Sequence, residues 1–170
     1  MHEKPLISVV IPTYNHAHFL KTALESVVNQ TYTEWEAIVV NNYSDDNTID
    51  VVSEFGDPRI KLRNYKNHGV IAAGRNQAIS MSKGEYVAFL DSDDIWYPDK
   101  LKECLELLNQ GFDLVCHGEF WVKTDNSKRH IIYGPEKNAC YRSLLFNGNC
   151  ISTSATVVRK EALDKVGGFC

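Results

Sequence analysis

The 170-residue chain switches repeatedly between the apolar patterns of a strand and the 3.6-residue repeat of a helix, and that alternation constrains its fold more than any other feature. Leu6 to Pro12 is a β-branched run ended by proline, and Phe19, Leu20, Ala23, Leu24, Val27 and Val28 then fall on one helical face. Trp35 to Val40 predicts a second strand and Asn47 to Phe55 a second helix; Ile60 to Tyr65 and Ala72 to Met81 make a third pair. Tyr86 to Leu90 reads as a buried strand, and Leu101, Cys104, Leu105 and Leu108 mark a helix that Pro98 and Asp99 start. Asp113 to His117 makes a fifth strand. A right-handed crossover lays each helix over the sheet, so this order predicts an α/β, Rossmann-like, doubly wound fold, its mostly parallel sheet covered by helices on both faces.

Beyond Gly118 the regularity weakens. Trp121 to Asp125 is expected as an edge strand, Cys140 to Phe146 as a helix and Ser152 to Val158 as another strand. No repeat, low-complexity tract or linker divides the chain, so residues 1–170 are read as one domain, long enough for a single core without disulfides. A net charge of -4 with scattered Lys and Arg gives no footprint for a phosphate backbone, so nucleic acid is not an expected partner. Apolar runs such as Val9 to Ile11 and Ile38 to Val40 are far below the ~20 residues of a membrane-spanning helix, and Met1 to Pro5 shows no signal-peptide core. Five cysteines with no CxxC pair fit a reducing cytoplasm. Peripheral contact with a membrane stays open.

Ligands in doubly wound folds bind in the crevice outside the carboxyl ends of the strands, so the residues just after each strand are the candidates. After the first come Pro12, Thr13, Tyr14 and Asn15: a strand-to-helix turn with Asn15 as helix cap, or a loop whose Tyr14 ring covers a nucleobase. After the second come Asn41 and Asn42, then Tyr43-Ser44-Asp45-Asp46; this is turn and cap chemistry, or a pair of amides aimed at a base or ribose edge. Arg75, opening the third helix, suits a phosphate or a surface salt bridge equally. The histidines lack the spacing of a zinc site.

The fourth strand ends in Asp91-Ser92-Asp93-Asp94. In an extended segment Asp91 and Asp93 share a face, and two such carboxylates repel unless one is protonated or a cation lies between them. A hard divalent ion, Mg2+ or Mn2+, resolves the conflict, since such ions are held by one or two carboxylates plus substrate phosphates. The alternative is a solvated acidic turn capping the next helix.

Taken in order, VVIPTYNHAHFLKTALESVVNQTY, IVVNNYSDDNT and NHGVIAAGRNQAISMSKGEYVAFLDSDDIWYPDKL closely resemble the family 2 glycosyltransferases of the GT-A fold. The resemblance implies inverting transfer of a sugar from a nucleotide diphosphate donor, commonly UDP-linked, to a hydroxyl acceptor, with a divalent ion bridging the diphosphate. It assigns Asp93 to the metal-binding aspartate of the DxD motif, with Asp91 beside it. Asp91 and Ser92 match the ribose and diphosphate contacts, and Pro12 and Tyr14 the base-binding loop. Residues of about 5–117 then form the nucleotide-binding part and about 118–170 the start of the acceptor part, toward which the VVRKEALDKVGGF segment leads. The acceptor, a glycan, a lipid-linked sugar or a protein, is not read from the residues, and a cytoplasmic place at the inner face of the membrane is implied.

Two departures stand out. Asn41 and Asn42 occupy positions that are usually acidic in the family. An acidic motif supplying the base is expected after the GGF segment, so the base is expected beyond Cys170, and the chain reads as truncated. A non-catalytic nucleotide-sugar-binding module is the competing reading.

Overall fold

A computed structural model describes residues 5–134 and 140–170; the start of the Met1 to Pro5 stretch read above, up to residue 4, lies outside the described residues. Nine elements follow the expected alternation: β1 (Ile7–Thr13), α1 (Ala17–Val28), β2 (Trp35–Asn41), α2 (Thr48–Glu54), β3 (Ile60–Asn64), α3 (Ile71–Met81), β4 (Tyr86–Phe89), α4 (Lys100–Leu108) and β5 (Leu114–Cys116). Then come β6 (Glu119–Val122), β7 (Lys128–Ile131), α5 (Tyr141–Asn147), β8 (Thr156–Arg159) and α6 (Lys160–Val166).

The main sheet has the order β3-β2-β1-β4-β8-β5. β1 pairs in parallel with β2 and β4, and β2 with β3. Because successive strand residues point to opposite faces, β1 feeds two cores. Ile7, Val9 and Ile11 join Ala37 and Val39 against Leu20, Leu24 and Val27 of α1 and Leu101 and Leu108 of α4. Val10 joins Ile38, Val40, Val87 and Phe89 against Ala78 and Ile79 of α3, with Leu163 of α6 packed alongside. Each fully buried Val, Leu, Ile or Phe among them stabilises the fold by about 1.5–3 kcal/mol. The doubly wound architecture is therefore the one expected, and Leu24→Ala, at the centre of the first core, would cost about 2–5 kcal/mol.

At the far edge one pairing was not foreseen and one expectation needs correction. β5 does not pair with β4: β8 lies between them, antiparallel to both. Nor is Trp121 to Asp125 an edge of this sheet. The strand is Glu119–Val122, and it pairs with β7 as a separate two-stranded hairpin. α6 follows that strand as a helix for which the sequence analysis held no expectation.

At the end of the sheet where β1 and β2 begin, Glu36 is buried. It accepts hydrogen bonds from Ser8 Oγ at 2.8 Å, the Lys83 amide at 2.7 Å and Lys61 Nζ at 2.6 Å. Burial alone would raise its pKa, but these partners hold it below the usual value. At the opposite end, where the parallel strands terminate, the loops after β1, β2, β3 and β4 gather. Among the described residues no helix is long and apolar enough to cross a membrane, and all five cysteines are free.

Candidate functional site

The loops leaving β1, β2 and β3 are stitched together by their own polar side chains. The Asn15 amide donates to Ser44 Oγ at 2.9 Å, and Asn15 Oδ1 accepts from the Asp45 amide at 2.8 Å. Asn15 therefore does not cap α1 as expected. Its φ is 53°, and the first-turn amide of Ala17 is instead satisfied by Asp46 Oδ2 at 2.9 Å, from the next loop. Asp46 also accepts from the Thr48 amide and hydroxyl. Partial burial would raise its pKa, yet these bonds hold it below the ordinary aspartate value. Tyr43 (φ 55°) and His68 (φ 52°) take the same left-handed conformation, so each of three adjacent loops carries one backbone strain of a kind that collects at binding sites.

The two asparagines after β2 have different surroundings. Asn41 is 1% exposed, and both ends of its amide are engaged: Nδ2 donates to Asn64 Oδ1 at 3.0 Å, while Oδ1 accepts from the Ser44 amide and hydroxyl. It shapes the loop. Asn42 is partly exposed, and its Oδ1 takes the Asn67 amide at 2.9 Å, while its NH2 group has no partner among the described residues. Tyr14 and Tyr43 are exposed beside it, and Pro12 lies on β1 at the crevice mouth.

Residues 91–94 are not extended. The Asp94 amide donates to the Asp91 carbonyl at 3.0 Å, closing a turn, as a run of Asp and Ser favours. Neither Asp93 nor Asp94 caps α4, whose N-cap position is Asp99. Asp91 is paired with Arg75 at 2.6 Å, and its amide donates to Ser154 Oγ at 3.0 Å. Ser92 is buried, and its hydroxyl meets His16 Nδ1 at 3.1 Å, tying the turn to the loop after β1. Asp93 is exposed and has no hydrogen bond or ion pair among the described residues. Desolvation of the Asp94 carboxyl raises its pKa and the charges of Asp93, Asp91 and Glu119 add to this, with the nearby Ser154 side chain opposing it. The turn thus carries more negative charge than its surroundings neutralise.

Among the described residues no group of three or more His, Cys, Asp or Glu side chains is placed to enclose a metal ion. With Asp91 paired to Arg75 and Asp93 unpaired, the donor set is too small for an all-protein cage. It fits Mg2+ or Mn2+ held by one or two carboxylates and completed by phosphate oxygens of a ligand.

Arg75 is held from below by the end of the chain. Gly167 (φ 79°) and Gly168 (φ 82°) turn the backbone so that Phe169 exchanges two hydrogen bonds with the Asn76 side chain, at 2.7 and 2.9 Å. The Phe169 ring meets Phe89 edge-on at 5.2 Å, and the Arg75 guanidinium lies 5.6 Å from its centre. Arg75 Nε and Thr13 Oγ1 are buried without a partner among the described residues. The sequence analysis gave no individual role in the site to His16, Asp46, Asn67, Asn76, Ser154 or Phe169, although Asp46 stood in the polar cluster after the second strand and Asn67 and Asn76 in the segment around Arg75. The paired glycines before Phe169 offered a further local signal.

Residues 8–167 match the family described as Glycosyl transferase family 2. The chain is similar to an Escherichia coli UDP-Glc:alpha-D-GlcNAc-diphosphoundecaprenol beta-1,3-glucosyltransferase, 35% identical over 93% of this chain and 61% of that protein. It is also similar to a putative teichuronic acid biosynthesis glycosyltransferase of Bacillus subtilis, 39% identical over 62% of this chain and 42% of that protein. The chain thus spans about three fifths or less of these relatives' lengths. Among solved structures, S. aureus TarS in complex with UDP-GlcNAc superposes with a TM-score of 0.75 at 21% identity, over 96% of this chain and 48% of that one. The mannosyltransferase PcManGT from Pyrobaculum calidifontis, in complex with GDP-Man and Mn2+, gives 0.74 at 21% identity, over 99% and 48%. These two likenesses show the fold.

Proposed function

The chain belongs to glycosyl transferase family 2, and on that premise we propose that its crevice is the donor site of an enzyme that transfers a sugar from a nucleotide diphosphate, a UDP-sugar first, to a hydroxyl acceptor. The observation that carries this reading is the meeting of Arg75, Asp91, Ser92 and Asp93 at the carboxyl end of β4, beside the loops that present Tyr14, Asn42 and Tyr43. Tyr14, above Pro12, covers the base, and Asn42 reads its edge or the ribose; Asn41 serves by holding that loop. Arg75 and the loop amides orient the diphosphate, and Ser92 with Asp91 fixes the ribose side. Mg2+ or Mn2+, when bound at Asp93 with Asp91 alongside, supplies positive charge against the departing diphosphate. Inversion by direct displacement further needs a base within hydrogen-bond reach of the acceptor hydroxyl, and no residue of the crevice is assigned that role.

The neighbours' complexes with UDP-GlcNAc and with GDP-Man and Mn2+ support a nucleotide-sugar ligand. The relatives' names concern a lipid-linked sugar and a teichuronic acid. They support an acceptor of the lipid-linked or polysaccharide class.

Thermal unfolding with UDP, GDP and their sugar conjugates, with and without Mn2+, tests the reading on the native chain and on Asp93→Ala. A nucleotide at about 100 times its dissociation constant should stabilise the fold by about 2.7 kcal/mol. The expected result is stabilisation that needs the metal and vanishes in Asp93→Ala. No stabilisation by any nucleotide would overturn the donor site.

A further inference from the structure

Lys100, at the start of α4, is only 5% exposed, and no carboxylate forms an ion pair with it among the described residues. Its Nζ lies 3.4 Å from the centre of the Trp96 ring and 3.4 Å from the Ser154 carbonyl oxygen. Trp96 Nε1 donates to that same carbonyl at 2.9 Å, and the Trp96 amide donates to Ser26 Oγ on α1 at 3.2 Å. Two donors therefore grip the backbone of Ser154, whose hydroxyl in turn accepts the Asp91 amide at 3.0 Å.

The ionisable groups facing Lys100 are Cys104 on its own helix, Cys116 on β5 and His117 just after it. Burial lowers the lysine's pKa to about 7. A buried amine without an acidic partner is a costly choice for a fold. Here it has one clear structural effect, which is to fix Ser154 under the acidic turn.

We propose that Lys100 and Ser154 are positioning residues of the donor site, holding the Asp91 end of the acidic turn so that Asp91 and Asp93 meet a nucleotide diphosphate in a fixed orientation. This rests on the donor-site reading above. Lys100 and Ser154 touch no ligand themselves; they act through Trp96 and the Asp91 amide.

The experiment compares the wild-type chain with Lys100→Met, Ser154→Ala and Ser154→Thr by residue-resolved amide hydrogen exchange and by calorimetric titration with UDP in the presence of Mn2+. Ser154→Ala removes the partner of the Asp91 amide and Lys100→Met frees the Ser154 backbone that positions that partner; each should speed exchange at the Asp91 amide by about ten-fold, while the amides of β1 keep their protection. The UDP dissociation constant should rise by about five-fold or more in the same two variants. Ser154→Thr, which keeps the hydroxyl, should retain both properties. Asp91 exchange equal to wild type in both loss variants overturns the proposal, as does a uniform rise over all amides, which marks a loss of overall stability. If UDP fails to bind the wild-type chain the donor-site reading falls, and Asp91 exchange by itself decides whether these residues hold the turn.

Discussion

Lys100 should make the stability of this protein rise with pH across a narrow neutral window. In the unfolded chain its amine titrates near its ordinary value of about 10.4; in the folded chain it does so at about 7. Below about pH 7 both states are protonated, and the whole burial penalty is present. Between the two values the unfolded state binds more protons, so the free energy of unfolding increases with pH. Integrated from about pH 7 to about 8.5, the gain is about 1.6 kcal/mol, or roughly 3–6 °C in Tm for a chain of this size. The window avoids two other buried groups. Burial lowers the His117 pKa, so the pH dependence it adds falls below about 6.5, and burial raises that of Cys104, whose opposing effect begins near 8.5. The assay is calorimetric or circular-dichroism melting at four pH values and fixed ionic strength, on the wild-type chain and on Lys100→Met. The difference between the two curves removes the N-terminal amine and every other shared group. Parallel curves would refute the reasoning, because they would mean that Lys100 keeps an ordinary pKa in the folded protein.

Three further outcomes follow from contacts described above. Gly168→Ala puts a Cβ 2.6 Å from Asn76 Oδ1 at a φ of 82°, so it should lower stability by about 1–3 kcal/mol in urea unfolding. Asp46→Ala removes the cap of α1 and should cost about 1–2 kcal/mol. Because the Asp46 pKa is depressed, the stability it contributes is present above about pH 4 and lost as pH falls through the folded value, so the variant's acid-unfolding limb should be shallower. Arg75→Met should weaken UDP binding by about ten-fold in titration while changing stability by less than about 1 kcal/mol, since its ion pair with Asp91 is partly exposed.

The βα alternation was legible because burial imposes a local period on each segment: Leu20, Ala23, Leu24 and Val27 are buried along one side of α1. The same logic put Asn42, Asp91 and Asp93 at the crevice, since each follows a strand. It failed where contacts run through space. Ser154 reaches Asp91 across 63 residues, and no local pattern announces that pairing. Asn15 looked like a cap because an Asn before a helix usually is one, but a side chain from the next loop took that role. The acidic turn was read as extended because the strand before it is; short polar side chains and a backbone hydrogen bond close it instead. The β6–β7 hairpin escaped notice because it is mostly exposed on both faces, which erases the alternation that marks a half-buried strand.

The insertion of β8 between β4 and β5 also sets an order of events for a chain made from its N-terminus. Strands β1 to β4 can zip together as soon as they leave the ribosome, because every pairing among them is already available. β5 cannot follow, since its pairing in the finished sheet is with β8, about 40 residues further on. At a synthesis rate of about 5–20 residues per second, β5 waits unpaired for about 2–8 s. Through that interval the outer edge of β4 is open as well, so the nascent chain exposes two strand edges to its neighbours until β8 arrives to close both at once.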